Sequence, residues 1–363
     1  MRFPAFFLYL VCSVFLSACN TEYLDLQFAL SINEEQVFSS QSSIEEIQAM
    51  PGGTDPEYTQ TNYPIILVHG LYGFDNIFII DYWYRIIEAL ELGGAEVYTS
   101  PVPKLNSTEY RGEYLINSLE EMQAITGKNR FHLMGHSHGG PTVRYVLNVR
   151  PDLVASVTTI GGVNAYGVDY IDEVIGNFEG FIYGAIGQGM LNALAELIEW
   201  AGGNEQNHQS FALASFRSLS AEGTRKYNQS YPIGLPANWD EPDFVDNFCL
   251  DGSGDPIHGL EIYTDPDSFD IPLFSWSGIG IGTNVLDPSD ILIEFAHEQL
   301  NNGPGDGFVD RCASHFGHVI RSDYDLDHID QINHAYAMRR ATATSPLSIY
   351  RMIANKLKED HGL

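Results

Sequence analysis

Apolar and polar positions divide the chain into three zones. Behind Arg2, residues Phe3–Leu16 form an uncharged run of 14 residues. That falls short of the roughly 20 residues a membrane-spanning helix needs and follows the plan of a secretory signal peptide, placed at residues 1–18. Residues 20–63 carry eight acids and no Lys or Arg, among Ser, Thr, Gln and a Pro-Gly-Gly turn. Such a stretch cannot bury a core, so residues 19–62 are expected to be a solvated tether. From Tyr63 the pattern changes to alternating short apolar runs and helical spacings. Pro64–Val68 is β-branched and continuously apolar, as in a strand buried on both faces. A helical pattern near Tyr82–Leu92 stops at Gly93-Gly94, and Ala95–Thr99 reads as a strand. Leu115, Leu119, Met122 and Ile125 recur at helical spacing, with Ser107 or Thr108 to cap the start and Gly127 to close the end. Arg130–Met134, Gly139–Val149 and Val154–Ile160 continue as strand, helix, strand. This alternation predicts an α/β fold over residues 63–363: a mostly parallel sheet with helices on both faces.

Composition supports a sizeable core, with 44% hydrophobic and 12% aromatic residues. Lys+Arg total 18 against 48 Asp+Glu, a formal net charge of −30. A surface this acidic repels phosphate, so nucleic acid is excluded as a partner, and docking on anionic lipid through basic residues is disfavoured. Of the four cysteines, Cys12 and Cys19 fall at the leader. Cys249 and Cys312 have no CxxC spacing, so zinc and redox motifs are poorly supported. The run Leu16-Ser17-Ala18-Cys19 resembles the bacterial lipobox, in which cleavage precedes an acylated Cys. That implies lipidation at Cys19, and Asn20 resembles an outer-membrane sorting signal. The chain is therefore expected to be exported and lipid-anchored, in a compartment that permits disulfides, or else periplasmic or secreted if cleavage occurs without acylation.

The segment Gly135-His136-Ser137-His138-Gly139 is a Gly-x-Ser-x-Gly motif placed between a predicted strand and a predicted helix. A nucleophile lifted onto so sharp a turn needs residues without side chains two before and two after it. The helix N-terminus behind the turn favours developing negative charge. Ser137 is thus the candidate nucleophile. An oxyanion needs two donors: the N–H of His138 and, from the loop after an earlier strand, the N–H of Leu71. The fold's chain order also requires an acid and then a histidine downstream. Residues alone do not choose among Asp306, Asp310 and Asp323, or among His297, His315, His318, His328 and His334.

Several longer stretches carry a resemblance. YPIILVHGLYGFDNI, LNSTEYRGEYL, GHSHGGPTVRYV, VRPDLVASVT, LDPSD, GDGFVDRCASHFGHVIR and DHIDQIN, in this order, resemble the family I bacterial triacylglycerol lipases of the pseudomonad type. The likeness runs from about Tyr63 to the C-terminus. It implies an α/β-hydrolase fold, a Ser-Asp-His triad, a mobile lid and one structural Ca2+ ion. Matched residue by residue, Ser137 is the nucleophile, Asp306 the acid and His328 the base. Asp287 and Asp330 match the calcium carboxylates, and His334 and Met338 fall at the positions that offer backbone carbonyls. His334 stands where the family commonly has Gln. Asp287 followed by Pro288 also reads as a helix N-cap. Cys249 and Cys312 match the family's disulfide. It would close a loop of about 60 residues, worth roughly 4 kcal/mol of chain entropy.

Residues 163–222 leave the core pattern. Phe178, Ile182, Met190, Leu194, Ile198 and Trp200 lie in a greasy, glycine-broken stretch, with six acids and no base between 169 and 201. At the family's lid position this is a helical flap that would open at a lipid–water interface. The resulting expectation is a serine hydrolase that cleaves carboxylic esters through an acyl-enzyme. The substrate is a water-insoluble ester, most simply triacylglycerol, and a lipase-specific foldase is a partner the family often needs. Two other readings stand beside it: an esterase or depolymerase for sterol esters or polyesters, and a non-catalytic binding protein on a hydrolase fold.

Overall fold

Six parallel strands carry the molecule. The computed structural model describes residues 44–71, 76–77, 80–168, 212–236, 239, 263–264, 270–284, 287, 289–290, 293–294, 297 and 304–363. The strands are β1 (Ile65–Val68), β2 (Val97–Thr99), β3 (Phe131–His136), β4 (Val154–Ile160), β5 (Leu273–Gly278) and β6 (His318–Tyr324), in the order β6-β5-β4-β3-β1-β2. Every neighbouring pair is parallel. Parallel pairing requires crossovers, which the helices supply: α1 (Ile86–Glu91), α2 (Thr108–Thr126), α3 (Gly139–Val149), α4 (Ala212–Leu219), α5 (Ala221–Ser230) and α6 (Pro346–His361).

Side-chain alternation sets the two faces. Ile66 and Val68 of β1, Leu133 of β3 and Leu273 of β5 pack with Leu115 and Leu119 of α2 and Val143 and Leu147 of α3. Trp276 lies three residues beyond Leu273, so it points to the opposite face. There it meets Tyr350 of α6 edge-on at 5.7 Å. Arg351 of α6, also buried, donates to the carbonyl of Ala89 in α1. Helices therefore cover both faces, as the pattern predicts.

Local caps follow the sequence. The Ser107 side chain accepts from Tyr110 N–H at the start of α2, and Gly127 ends that helix at φ +70°. Where the apolar spacing predicts a helix from Tyr82, α1 begins only at Ile86, because Arg85 sits in the left-handed region at φ +61°. The chain divides into two compact units, Met1–Pro51 and Gly52–Leu363. Within the first, residues 44–48 form a helical turn. Residues 52–62, grouped with the tether by composition, belong to the larger unit. Asn62 N–H donates to Leu363 O at 2.9 Å, Asn355 Nδ2 to Tyr58 O at 3.0 Å and Thr59 N–H to Gly93 O at 2.8 Å. Composition is blind to such backbone anchoring. Among the described residues no helix is long and apolar enough to cross a membrane. The leader, Cys19 and residues 169–211 of the expected lid lie outside the described residues.

Candidate active site

Ser137 stands between the end of β3 and the start of α3 with φ +56°. A non-glycine residue held there costs about 1–3 kcal/mol, and surrounding structure has to enforce it. The two flanking glycines are what permits the turn. A Cβ on Gly135 would lie 2.2 Å from the carbonyl oxygen of Gly139, and a Cβ on Gly139 would lie 2.1 Å from that of Val68. Ser137 N–H donates to Ile160 O at 3.0 Å, which ties the turn to β4. The serine is half-buried, while His136 and His138 on either side are buried.

The loop leaving β1 reaches this serine. A Cβ on Gly70 would lie 2.6 Å from Ser137 Cβ and 3.0 Å from its Oγ. Leu71 follows directly and packs with Tyr166, Phe216 and Phe308 against a small cluster of Val163, Val168, Leu219, Val309 and Ala313. Arg111, fully buried on α2, pins the loop by donating to the carbonyls of His69 and Pro103 and to Thr142 Oγ1. Burial lowers its pKa to about 9. The His138 ring is held by Thr108, with Nε2 3.0 Å from Oγ1.

On the other side, Asp306 Oδ2 accepts from His328 Nδ1 at 2.8 Å. The Asp306 side chain is buried and its other oxygen accepts from the N–H groups of Phe308 (3.2 Å) and Val309 (2.8 Å). Gln331 Nε2 donates to Oδ2 as well, at 2.7 Å. Four donors thus fix one carboxylate in one orientation. The His328 ring lies against that of His136, the residue before Ser137, tilted 44° to it with centroids 4.5 Å apart, and Phe308 meets it edge-on at 5.4 Å. Asp323 instead pairs with exposed Arg321 at the sheet edge, and the His318 ring packs on Phe274. Geometry therefore pairs Asp306 with His328 and sets the His328 ring beside that of His136, the residue before Ser137.

Comparison with known proteins bears on this constellation. Residues 63–184 match the alpha/beta hydrolase fold family. A triacylglycerol lipase of Vibrio cholerae is 41% identical over 303 residues, 83% of this chain and 89% of that one. The chain belongs to the bacterial triacylglycerol lipases of the α/β-hydrolase superfamily. A triacylglycerol lipase of Pseudomonas fragi is 34% identical, over 82% of this chain and 97% of the relative. The crystal structure of Staphylococcus hyicus lipase is alike in fold, with a TM-score of 0.55 at 16% identity over 85% of this chain and 98% of that chain.

In this lipase the other expected site residues lie as follows. Asp287 and Asp330 are both buried, and so are Asp290 and Asp327. Asp287 caps the turn after it, its Oδ1 accepting from Ser289 N–H at 2.7 Å. Burial and then the neighbouring Asp330 push the Asp327 carboxyl up, and burial raises those of Asp330 and Asp287. Asp327 Oδ2 is buried without a hydrogen-bond partner. Half-buried His334 opens a one-turn helix, His334–Ala337, and half-buried Met338 follows it, with left-handed residues Asn333 (φ +54°) before the turn and Ala337 (φ +60°) at its end. Among the described residues no three His, Cys, Asp or Glu converge as a metal-binding group. Cys312 is buried, and Cys249 lies outside the described residues. Arg111, Gln331 and the ring of His136 are the supporting residues that sequence reasoning missed.

Proposed function

We propose that this lipase hydrolyses water-insoluble esters, triacylglycerol first, through Ser137, His328 and Asp306. The observation that carries the reading is the 2.8 Å Asp306–His328 bond, with the His328 ring 4.5 Å from that of His136, whose chain neighbour is a serine at φ +56°. His328 Nε2 takes the Ser137 proton as Oγ attacks the ester carbonyl. The N–H groups of His138 and Leu71 receive the negative charge on the carbonyl oxygen. The tetrahedral intermediate collapses, the C–O bond to the alcohol breaks, and His328 returns the proton to the departing oxygen. Water repeats the sequence on the acyl-enzyme. Asp306 keeps the imidazole in the Nδ1–H tautomer and stabilises its charged form. The apolar side chains of Leu71, Phe216 and Phe308, packed on one cluster with Phe308 edge-on to His328, suit a fatty acyl chain, and the apolar stretch within 169–211 suits a lid at the interface.

The test is hydrolysis by the full mature chain of an emulsified long-chain triacylglycerol and of a series of soluble esters. Turnover on the emulsion is the expected result. Hydrolysis confined to short soluble esters would leave an esterase, and no hydrolysis would leave a binding protein.

The buried acids fit a hard cation. Two carboxylates, Asp287 and Asp330, with the carbonyls of His334 and Met338, would hold one calcium ion by oxygen alone, and a cation there would offset the burial that raises both carboxyls. The ion would neutralise this cluster and anchor the loop that carries His328, two residues from Asp330. Chelation is then expected to lower Tm by about 5 °C, reversed by calcium and not by magnesium. An unchanged Tm, with no calcium found by elemental analysis, would remove the ion from the account. A Cys249–Cys312 disulfide and acylation at Cys19 complete the proposal for an exported, outer-membrane-anchored chain. Peptide mapping without reduction and incorporation of labelled palmitate read them out.

A further inference from the structure

We propose that Tyr82 and His136 form a hydrogen-bonded positioning relay that ties the oxyanion loop at Gly70 to the backbone of His328. The proposal rests on the triad reading above. Three bonds make the relay. Gly70 N–H donates to Tyr82 Oη at 2.9 Å, Tyr82 Oη lies 2.6 Å from His136 Nδ1, and His136 Nε2 lies 2.9 Å from the His328 carbonyl oxygen. They join residues 12, 54 and 192 positions apart.

The end groups fix the first and last protons. A backbone N–H only donates and a carbonyl only accepts. Tyr82 Oη is therefore an acceptor from Gly70, and His136 Nε2 carries the hydrogen that points at the His328 carbonyl. With the ring neutral, its bare Nδ1 accepts the Tyr82 hydroxyl proton. Burial keeps His136 uncharged, assisted by His328, and burial holds the Tyr82 hydroxyl in its protonated form. Trp83 closes the site, edge-on to both Tyr82 (5.1 Å) and His136 (6.3 Å).

The placement of the two ends gives the relay its function. Gly70 abuts the Ser137 side chain and precedes Leu71, an expected oxyanion donor. His328 is the expected base, and its ring also meets that of His136 at a tilt, with centroids 4.5 Å apart. The chain of bonds passes directly beneath the nucleophile, since His136 is its covalent neighbour. It sets the spacing between the donor loop and the base across the serine. Active-site groups need placement to within about 0.5 Å, and a displacement of about 1 Å costs roughly 100-fold in rate.

Tyr82→Phe removes one oxygen and strands both Gly70 N–H and His136 Nδ1; His136→Gln breaks the relay from its middle. Active sites are counted with a fluorophosphonate, and kcat and KM are measured per labelled site on a soluble ester. Each variant is expected to lose about 10- to 100-fold in kcat with KM changed less than about twofold, and the double variant to be no worse than the weaker single one. A merely structural role would lower the labelled fraction or Tm and leave kcat per site unchanged, and that result overturns the relay. The wild-type chain gives a reading that needs no variant. The 15N shifts of the His136 ring should report the Nε2–H tautomer, and the Nδ1–H tautomer or an imidazolium would overturn the proposal. Labelling of the wild type and not of Ser137→Ala establishes the nucleophile separately. If both label alike the triad reading fails; if only the wild type labels and Tyr82→Phe turns over normally, the relay alone fails.

Discussion

Ser137→Ala is expected to abolish ester hydrolysis, lowering kcat about 10^6-fold with Tm unchanged. The change removes a single oxygen at a half-buried position, and that oxygen's loss ends the covalent route. Its neighbours impose the backbone conformation, so alanine sits at the same φ of +56°. Ser137→Gly separates the two consequences of the turn. Glycine meets no steric penalty at positive φ. This variant should be equally inactive yet more stable than the wild type by about 1 kcal/mol, because the backbone strain held at position 137 is released. Calorimetry beside a titrimetric assay measures both. Hydrolysis by either variant above about one hundredth of the wild-type rate would show that another residue is the nucleophile.

Short-range features were legible from the residues alone. β1, β3, β4 and α3 announce themselves through apolar runs and spacing, and the strand–turn–helix context of Gly135–Gly139 points to Ser137 because the constraint is steric and local. Asp306 and His328 are a different case. Each lies in a loop with rivals of the same type nearby, and what joins them is a bond between positions 22 apart. Only the family resemblance reached them. Arg111 and Gln331 gave no signal, since a buried polar side chain is recognised by its partners. Those partners lie 42 and 25 positions away. The helix start expected at Tyr82 fails at Arg85 for a related reason. Helical spacing of apolar residues says nothing of one left-handed residue that breaks the hydrogen-bond ladder.

Acid is expected to unfold this protein through its buried histidines. His132 points from β3 into the core, its Nδ1 2.8 Å from Ser156 Oγ and its ring edge-on to Tyr63 at 5.9 Å. Burial lowers its pKa from 6.5 to about 3, and His69 is lowered to about 3 as well, by burial and then by Arg111. The folded pKa lies below the unfolded one, so between pH 6.5 and about 3 the unfolded chain takes a proton that the folded chain refuses. Stability is complete above pH 6.5 and falls as pH drops through that window. A shift of this size is worth about 5 kcal/mol for each histidine. Two together rival the whole 5–15 kcal/mol that holds a typical domain folded. His132→Gln isolates one of them, because every other titrating group is common to both proteins. Urea unfolding at intervals from pH 7 to pH 4 should show the wild type losing stability more steeply, the slopes differing by about one proton per molecule at the acid end. Parallel profiles would mean that His132 finds its proton without unfolding, through an opening of the sheet that its burial between β1 and β4 argues against.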